Sequence, residues 1–366
     1  MVRHDRDQKA SAFCFSKNQT IRYTVQMEGV LYRKYRPTKF SEVIGQDHVV
    51  KVLEAEAISG EISHAYLFAG TRGTGKTSVA RIFANEIGTS KNDIYEIDAA
   101  SNTSIDDIRA LNESVFTLPF ESKYKVYILD EVHMLSKSAS NALLKTLEEP
   151  PSHVVFILAT TETHKIPETV LSRCEVYTFK KPSVEVLKNT VTSVAKKEGY
   201  ALDEASAELV SLLGDGSFRD TLGIVQKILS YSKDKKISED EVRLVTGAPG
   251  VELVHEVVSS IADKDLKSGL SAVKKAVSQN IDMSVFLKLI LHTTRAILLV
   301  RFGGQDIVKD DLSEKEFKFV EKLSKKENSF SSKTLVELLT AYENTTGAYI
   351  SYLPLELALV NIIEKK

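Results

Sequence analysis

Short apolar runs alternate with amphipathic stretches of helix length from Leu31 to about Lys180. Ala65–Ala69, Ile94–Ala99, Val126–Leu129 and Val154–Ala159 read as strands, and runs this continuous predict strands buried on both faces of a parallel sheet. Between and after them, Thr77–Gly88, Ser104–Phe116 and Ser138–Leu147 read as helices, the last stopped by Pro150-Pro151. After Pro182 the strand signals vanish. Val184–Lys197, Asp203–Leu213, Ser217–Ser232 and Ser238–Val245 read as four short helices, broken at Gly199, at Gly214-Asp215-Gly216 and at residues 233–236. Pro249-Gly250 marks a further boundary, beyond which everything is helical. Leu335, Leu338, Leu339 and Tyr342 share one helix face there, as do Phe286, Leu289, Ile290 and Ile297. The pattern divides the chain into residues 1–27, an α/β unit at 28–180, a helical unit at 181–246 and a second helical unit at 247–366. No internal repeat is present.

Composition narrows the class without naming a function. The 366 residues are 43% apolar and 27% charged, ordinary for a globular protein of two to three domains. The 48 basic and 50 acidic side chains nearly cancel, so nucleic acid would have to meet a local patch rather than a cationic surface. Two cysteines, Cys14 and Cys174, exclude a disulfide framework and suit a reducing cytoplasm. The most apolar stretch, 285–302, is interrupted by Lys288, His292, Arg295 and Arg301, which argues against a membrane span. Residues 1–26 carry five basic against two acidic side chains and no periodicity, reading either as a loose tail or as a basic arm.

The chemistry begins at Gly70-Thr71-Arg72-Gly73-Thr74-Gly75-Lys76-Thr77. This octet matches G-x-x-x-x-G-K-[ST] at every fixed position, between a predicted strand and a predicted helix. Such glycines let successive backbone N–H groups face phosphate oxygens, and the following helix adds the positive end of its dipole. Lys76 is placed for the β and γ phosphates and the Thr77 hydroxyl for Mg²⁺. A dinucleotide fingerprint is excluded, because Ser78 stands where a third glycine or alanine is required and lysine precedes it. Asp130-Glu131 follows the third predicted strand. An acid there orients the magnesium shell, and an adjacent glutamate within reach of the γ-phosphate can take a proton from water. Thr160-Thr161 closes the fourth strand, either as an ordinary strand end or as a hydroxyl beside the attacking water. His133 reads as a packed or hydrogen-bonded histidine, and Cys174 as neither catalytic nor zinc-binding.

These segments occur in order with others: 32–37 (YRKYRP), 40–46 (FSEVIGQ), 97–102 (IDAASN), 130–133 (DEVH), 144–151 (LKTLEEPP), 159–161 (ATT), 171–174 (LSRC) and 216–220 (GSFRD). Together they resemble the gamma/tau family of bacterial DNA polymerase III subunits, the AAA+ ATPases that drive sliding-clamp loading. The likeness is strong over residues 28–245 and looser over the helices beyond. It implies a P-loop AAA+ α/β domain at 28–180, a helical lid at 181–246 and an all-α collar at 247–366. By the same resemblance Glu131 is the Walker B base and Thr161 the sensor 1 residue. Arg173 is a finger acting on the neighbouring subunit's ATP, and Arg219 is sensor 2. Tyr32, Arg36, Val43 and Ile44 line the adenine and ribose pocket.

The implied cofactors are ATP and Mg²⁺, and the implied partners are other clamp-loader subunits in a pentamer, the sliding clamp and primed DNA, with no membrane. Family members commonly carry a four-cysteine zinc module after the P-loop helix. Only residues 88–93 make that connection here, so zinc is not expected. The end at Lys366 suggests a short form or a cut chain, without the long tail of tau forms. Two other readings are a non-hydrolysing structural subunit of the clamp loader and another AAA+ motor that remodels DNA. The first is disfavoured by the intact Lys76, Thr77, Asp130 and Glu131. A branch-migration motor, as one instance of the second, is disfavoured by a third region that is helical and mixed in charge.

Overall fold

The computed structural model describes residues 29–101, 105–309, 312–326 and 329–364. The basic stretch 1–26, Asn102 and Ser104 of the sequence reading lie outside them.

Five parallel strands form the first unit: β1 (Ala65–Ala69), β2 (Ile94–Asp98), β3 (Lys125–Asp130), β4 (Val154–Thr160) and β5 (Glu175–Thr178), in the spatial order β2-β3-β4-β1-β5. All C-terminal strand ends therefore share one edge, where ligands of parallel α/β sheets collect. Strand periodicity sends alternate residues to two cores. Leu67, Tyr127, Leu129, Phe156 and Leu158 pack with helices Ile105–Ser114 and Lys137–Glu148. Tyr66, Phe68, Val126, Ile128 and Ile157 pack with helices Asp47–Ser59 and Lys76–Glu86.

Two expectations change. β2, read as buried on both faces, is an edge strand with Tyr95, Glu96 and Asp98 exposed. β5 is a further edge strand for which no continuous apolar run exists, because Glu175, Val176 and Thr178 face solvent.

The second unit holds helices Val184–Lys197, Glu204–Leu213, Phe218–Tyr231 and Glu239–Thr246. Ser183, Asp203, Ser217 and Ser238 each accept a backbone N–H at the start of one of them, the role these short polar side chains play at helix N-caps. Strand signals do not wholly vanish here, since Ala201–Leu202 and Lys236–Ile237 pair in parallel. Two residues are too few to leave a periodic pattern. Leu31 packs into the core of this unit, with Tyr32 and Tyr35 against it.

Among the described residues seven helices follow, at Val251–Asp263, Leu266–Ser278, Met283–Arg301, Gln305–Lys309, Glu314–Ser324, Ser332–Thr345 and Leu353–Glu364. Met283–Arg301 is the one helix among the described residues long and apolar enough, by length and composition, to cross a membrane. Its Phe286, Leu287, Ile290 and Ile297 are instead fully buried against Val257, Leu338 and Leu355. It is the central helix of this core.

Candidate nucleotide site

The P-loop leaves β1 and turns at once into helix Lys76–Glu86. Its first residue is tied to the neighbouring strand, Gly70 N–H donating to Thr160 C=O at 3.2 Å. Gly70 and Gly73 have φ of +155° and +75°, and each is crowded: a Cβ would lie 2.6 Å from the Phe179 carbonyl oxygen and 2.0 Å from Ser217 Oγ. Both positions therefore require glycine for shape as well as for backbone freedom. Thr74, buried, closes the loop by donating from Oγ1 to Thr71 C=O at 2.9 Å.

Lys76 is only 5% exposed, and its Nζ donates to Gly70 C=O at 2.7 Å and Thr71 C=O at 3.0 Å. Burial holds this ammonium below its ordinary pKa, opposed by the charges of Glu131 and Asp130. Thr77 Oγ1 donates to Asp130 Oδ2 at 2.7 Å. A hydroxyl and a carboxylate meeting at a helix N-terminus are hard oxygen donors, the set that suits Mg²⁺.

Glu131 sits in the left-handed region, at φ 51° and ψ 44°. Its backbone N–H donates to Asp130 Oδ1 at 3.0 Å, and Thr161 Oγ1 donates to its Oε2 at 3.0 Å. His133 Nδ1 lies 3.4 Å from the same Oε2 and 3.1 Å from Thr160 Oγ1, while Nε2 is 3.4 Å from Glu162 Oε1. His133 thus wedges the ends of β3 and β4 together. Among the described residues, Glu131 Oε1 meets no hydrogen-bond donor.

A cleft of about 660 Å³ runs from the P-loop towards the second unit. It gathers Tyr32, Arg36, Val43 and Ile44, residues 72–78, Asp130, Glu131 and Arg219. The Arg219 guanidinium lies over the Tyr32 ring, 5.1 Å from its centroid. Burial would raise the Tyr32 hydroxyl, but hydrogen bonds and charge from Arg219 and Arg33 hold it below its ordinary value. The roof is attached directly to the loop, Phe218 N–H donating to Gly73 C=O at 3.0 Å. Gln46, fully buried, clips the chain after β5 by exchanging two hydrogen bonds with the Lys180 backbone.

Four residues of the sequence reading stand apart from this cleft. Gly70 and Thr71 support it from behind, through the Lys76 bonds. Thr161 reaches it through Glu131. Arg173 does not approach it: its guanidinium pairs with Glu148 at 2.7 Å and donates to Thr169 C=O at 2.7 Å. Its partner is thus Glu148 rather than the nearby Glu168 or Glu175. Burial pushes the Cys174 thiol up to about 12, so it stays protonated and unreactive.

Sequence reasoning missed one wall of the cleft, formed by Asn189, Thr190, Ser193 and Lys197. They are the polar side of helix Val184–Lys197, whose Leu187, Val191 and Ala195 face the core. That polar side was the available signal.

Two family models match the chain. One, described as DNA polymerase III, delta subunit, matches residues 45–102 and 88–183. The other, DNA polymerase III subunits gamma and tau domain III, matches residues 237–366. The chain is 39% identical over 292 residues to DNA polymerase III subunit tau of Bacillus subtilis, covering 74% of this chain and 52% of that one. It is 32% identical over 293 residues to DNA polymerase III subunit gamma of Buchnera aphidicola, covering 74% and 79% respectively. The chain spans about half the length of the tau and gamma/tau relatives it matches. Among solved structures it is similar to the RuvB Holliday junction branch migration motor of Thermotoga maritima, with a TM-score of 0.50 at 25% identity over 62% of this chain and 79% of that one. That likeness carries the AAA+ parallel-sheet fold. Matched by the gamma and tau domain III model over residues 237–366 and by gamma and tau subunits at 32–39% identity, the chain belongs to the DNA polymerase III gamma/tau family.

Proposed function

We propose that this chain is the ATP-hydrolysing motor subunit of a bacterial DNA polymerase III clamp loader, working in the cytoplasm. One observation carries the reading: a single cleft collects residues 72–77 of the P-loop, an Asp-Glu pair, an apolar-aromatic wall and the Arg219 guanidinium. Residues 28–180, 181–246 and 247–366 serve as motor, lid and collar. The partners are the other clamp-loader subunits in a pentamer, the sliding clamp and primed DNA.

ATP enters with its base and ribose among Tyr32, Arg36, Val43 and Ile44 and its phosphates along the backbone of residues 73–77. Lys76 exchanges the carbonyls of Gly70 and Thr71 for phosphate oxygens. It is pre-paid in burial, so little reorganisation accompanies the exchange. Thr77 and Asp130 would hold Mg²⁺, which when bound would neutralise phosphate charge. Glu131, fixed through Oε2 by Thr161, presents Oε1 to water and takes its proton as the water oxygen attacks the γ-phosphorus; the bond from that phosphorus to the β–γ bridging oxygen breaks, and ADP leaves with the electron pair. Arg219 leaves the Tyr32 face for the phosphates as the roof closes. Arg173 serves the neighbouring subunit.

Lys76→Ala tests the site. ATP hydrolysis by the assembled complex with clamp and primed DNA is expected to fall ~10²-fold or more, as when one preorganised electrostatic group is removed from a transition state. Clamp loading should fall with it. Unchanged hydrolysis and loading in that variant would sink the reading.

A further inference from the structure

Lys288 stands on the central helix of the C-terminal region, yet its ammonium is directed out of that region. Nζ donates to Leu213 C=O at 3.1 Å and lies 3.7 Å from Asp215 Oδ1. Leu213 is the last residue of helix Glu204–Leu213. Helix C-termini expose carbonyls without intrahelical partners and carry the negative end of the dipole, so a cation there is favourable. The Lys288 side chain is 21% exposed, whereas Asp215 is 62% exposed. The carbonyl bond is therefore the stronger contact, and the carboxylate adds a screened attraction. Burial holds the Lys288 ammonium below its ordinary pKa, partly offset by the charge of Asp215. A methylene stem alone would have packed here without that penalty, so the charge has a use at this position.

What Lys288 holds is the turn beneath the cleft's roof. Asp215 has φ 52° and Gly216 φ +69°, and Ser217 N–H closes the turn on Gly214 C=O at 3.0 Å. Lys181 donates to Asp215 Oδ1 at 2.9 Å and lies across Gly216 so closely that a Cβ there would meet its side chain at 2.3 Å. The next residues are Ser217, packed against Gly73, Phe218, bonded to Gly73 C=O, and Arg219, over the base pocket. The start of the Lys288 helix is itself tied to the second unit, Asp282 N–H donating to Gly247 C=O at 3.0 Å. An unbroken set of contacts thus runs from the C-terminal helices, through one lysine, to the backbone of the P-loop.

We propose that Lys288 is a positioning residue that couples the C-terminal helices to nucleotide affinity, by bracing the 213–217 turn against the P-loop. The inference rests on the nucleotide-site reading above. It makes assembly through the C-terminal region and nucleotide binding reciprocal, because a change in the pose of the Met283–Arg301 helix moves the turn that closes on Gly73.

The test is equilibrium binding of a fluorescent ATP analogue, mant-ATP, to the full chain well below its melting temperature. Lys288→Met is expected to weaken binding about three- to tenfold, within the range for residues that transmit coupling without touching ligand. Lys288→Arg should restore wild-type affinity within about twofold, since it also donates to a helix-terminal carbonyl. Lys288→Gln is read beside methionine, so that a folding defect of one variant does not decide the matter. Lys275→Met is the control: Lys275 pairs at 3.0 Å with Glu256 inside the C-terminal region, and its loss should leave affinity unchanged. Wild-type affinity in both Lys288→Met and Lys288→Gln would overturn the inference, as would an equal loss in Lys275→Met. A wild-type chain that binds no mant-ATP would overturn the site reading, and the inference with it.

Discussion

Arg173→Ala is expected to lower ATP hydrolysis by the assembled complex ~10³–10⁵-fold while leaving ATP binding in its own subunit intact, the scale of arginine fingers acting in GTPases. Arg173 lies outside the cleft of its own chain, half-buried and paired with Glu148. That pair alone would be worth at most about 1 kcal/mol, and its loss could not slow turnover so far. The Thr169 carbonyl, in the helix turn Glu168–Leu171, accepts from the guanidinium at 2.7 Å, after the strand that ends in Thr160. Mixing supplies the decisive measurement. Combined with Lys76→Ala subunits, the arginine variant should regain part of its activity, because some interfaces then join an intact P-loop to an intact Arg173. No recovery despite co-assembly would remove catalysis in trans, and wild-type hydrolysis by Arg173→Ala alone would remove the finger.

Glu131→Gln should bind ATP and clamp normally but hydrolyse ~10²–10⁴-fold more slowly, the contribution typical of a positioned base. The Thr161 hydroxyl can donate to the amide oxygen as it does to Oε2, and the backbone bond to Asp130 is untouched. Geometry survives while proton acceptance is lost. Stopped-flow binding and single-turnover hydrolysis separate the two. Wild-type turnover would exclude Glu131 as base, and a matching loss of ATP affinity would make it a binding group instead.

The sheet centre and the P-loop were legible because each leaves a local signal. β1, β3 and β4 are continuous apolar runs, and the octet 70–77 carries its chemistry in consecutive residues. The sheet edges were less legible: β5 offers only Val176 and Tyr177 between polar residues, and an edge strand has one face to satisfy rather than two. Tyr32 and Arg219 were connected only by resemblance, since 187 positions separate residues whose side chains stack. His133 read as a packed or hydrogen-bonded histidine, as it is, and Lys288 as a charge within an apolar stretch, but the partners of neither were legible. A lone histidine or lysine acquires a role from the carbonyl or hydroxyl that tertiary packing brings to it, and no spacing rule announces such a partner.

The strap at Leu31 has a consequence for the order of folding. Leu31 N–H donates to Gln226 Oε1 across 195 positions, and its side chain sits in a core with Val191, Val210, Leu222 and Ile228. A ribosome adding about 5–20 residues per second needs roughly 10–40 s to deliver that partner after Leu31 emerges. For most of this interval the parallel sheet can condense while the core that covers Leu31, Tyr32 and Tyr35 is incomplete. The aromatic side chains Tyr32 and Tyr35 are therefore synthesised well before they are seated. Nascent chains should stay vulnerable to proteases and chaperones at this segment until the helix Phe218–Tyr231 appears, and the cleft becomes a reporter that the second unit has folded.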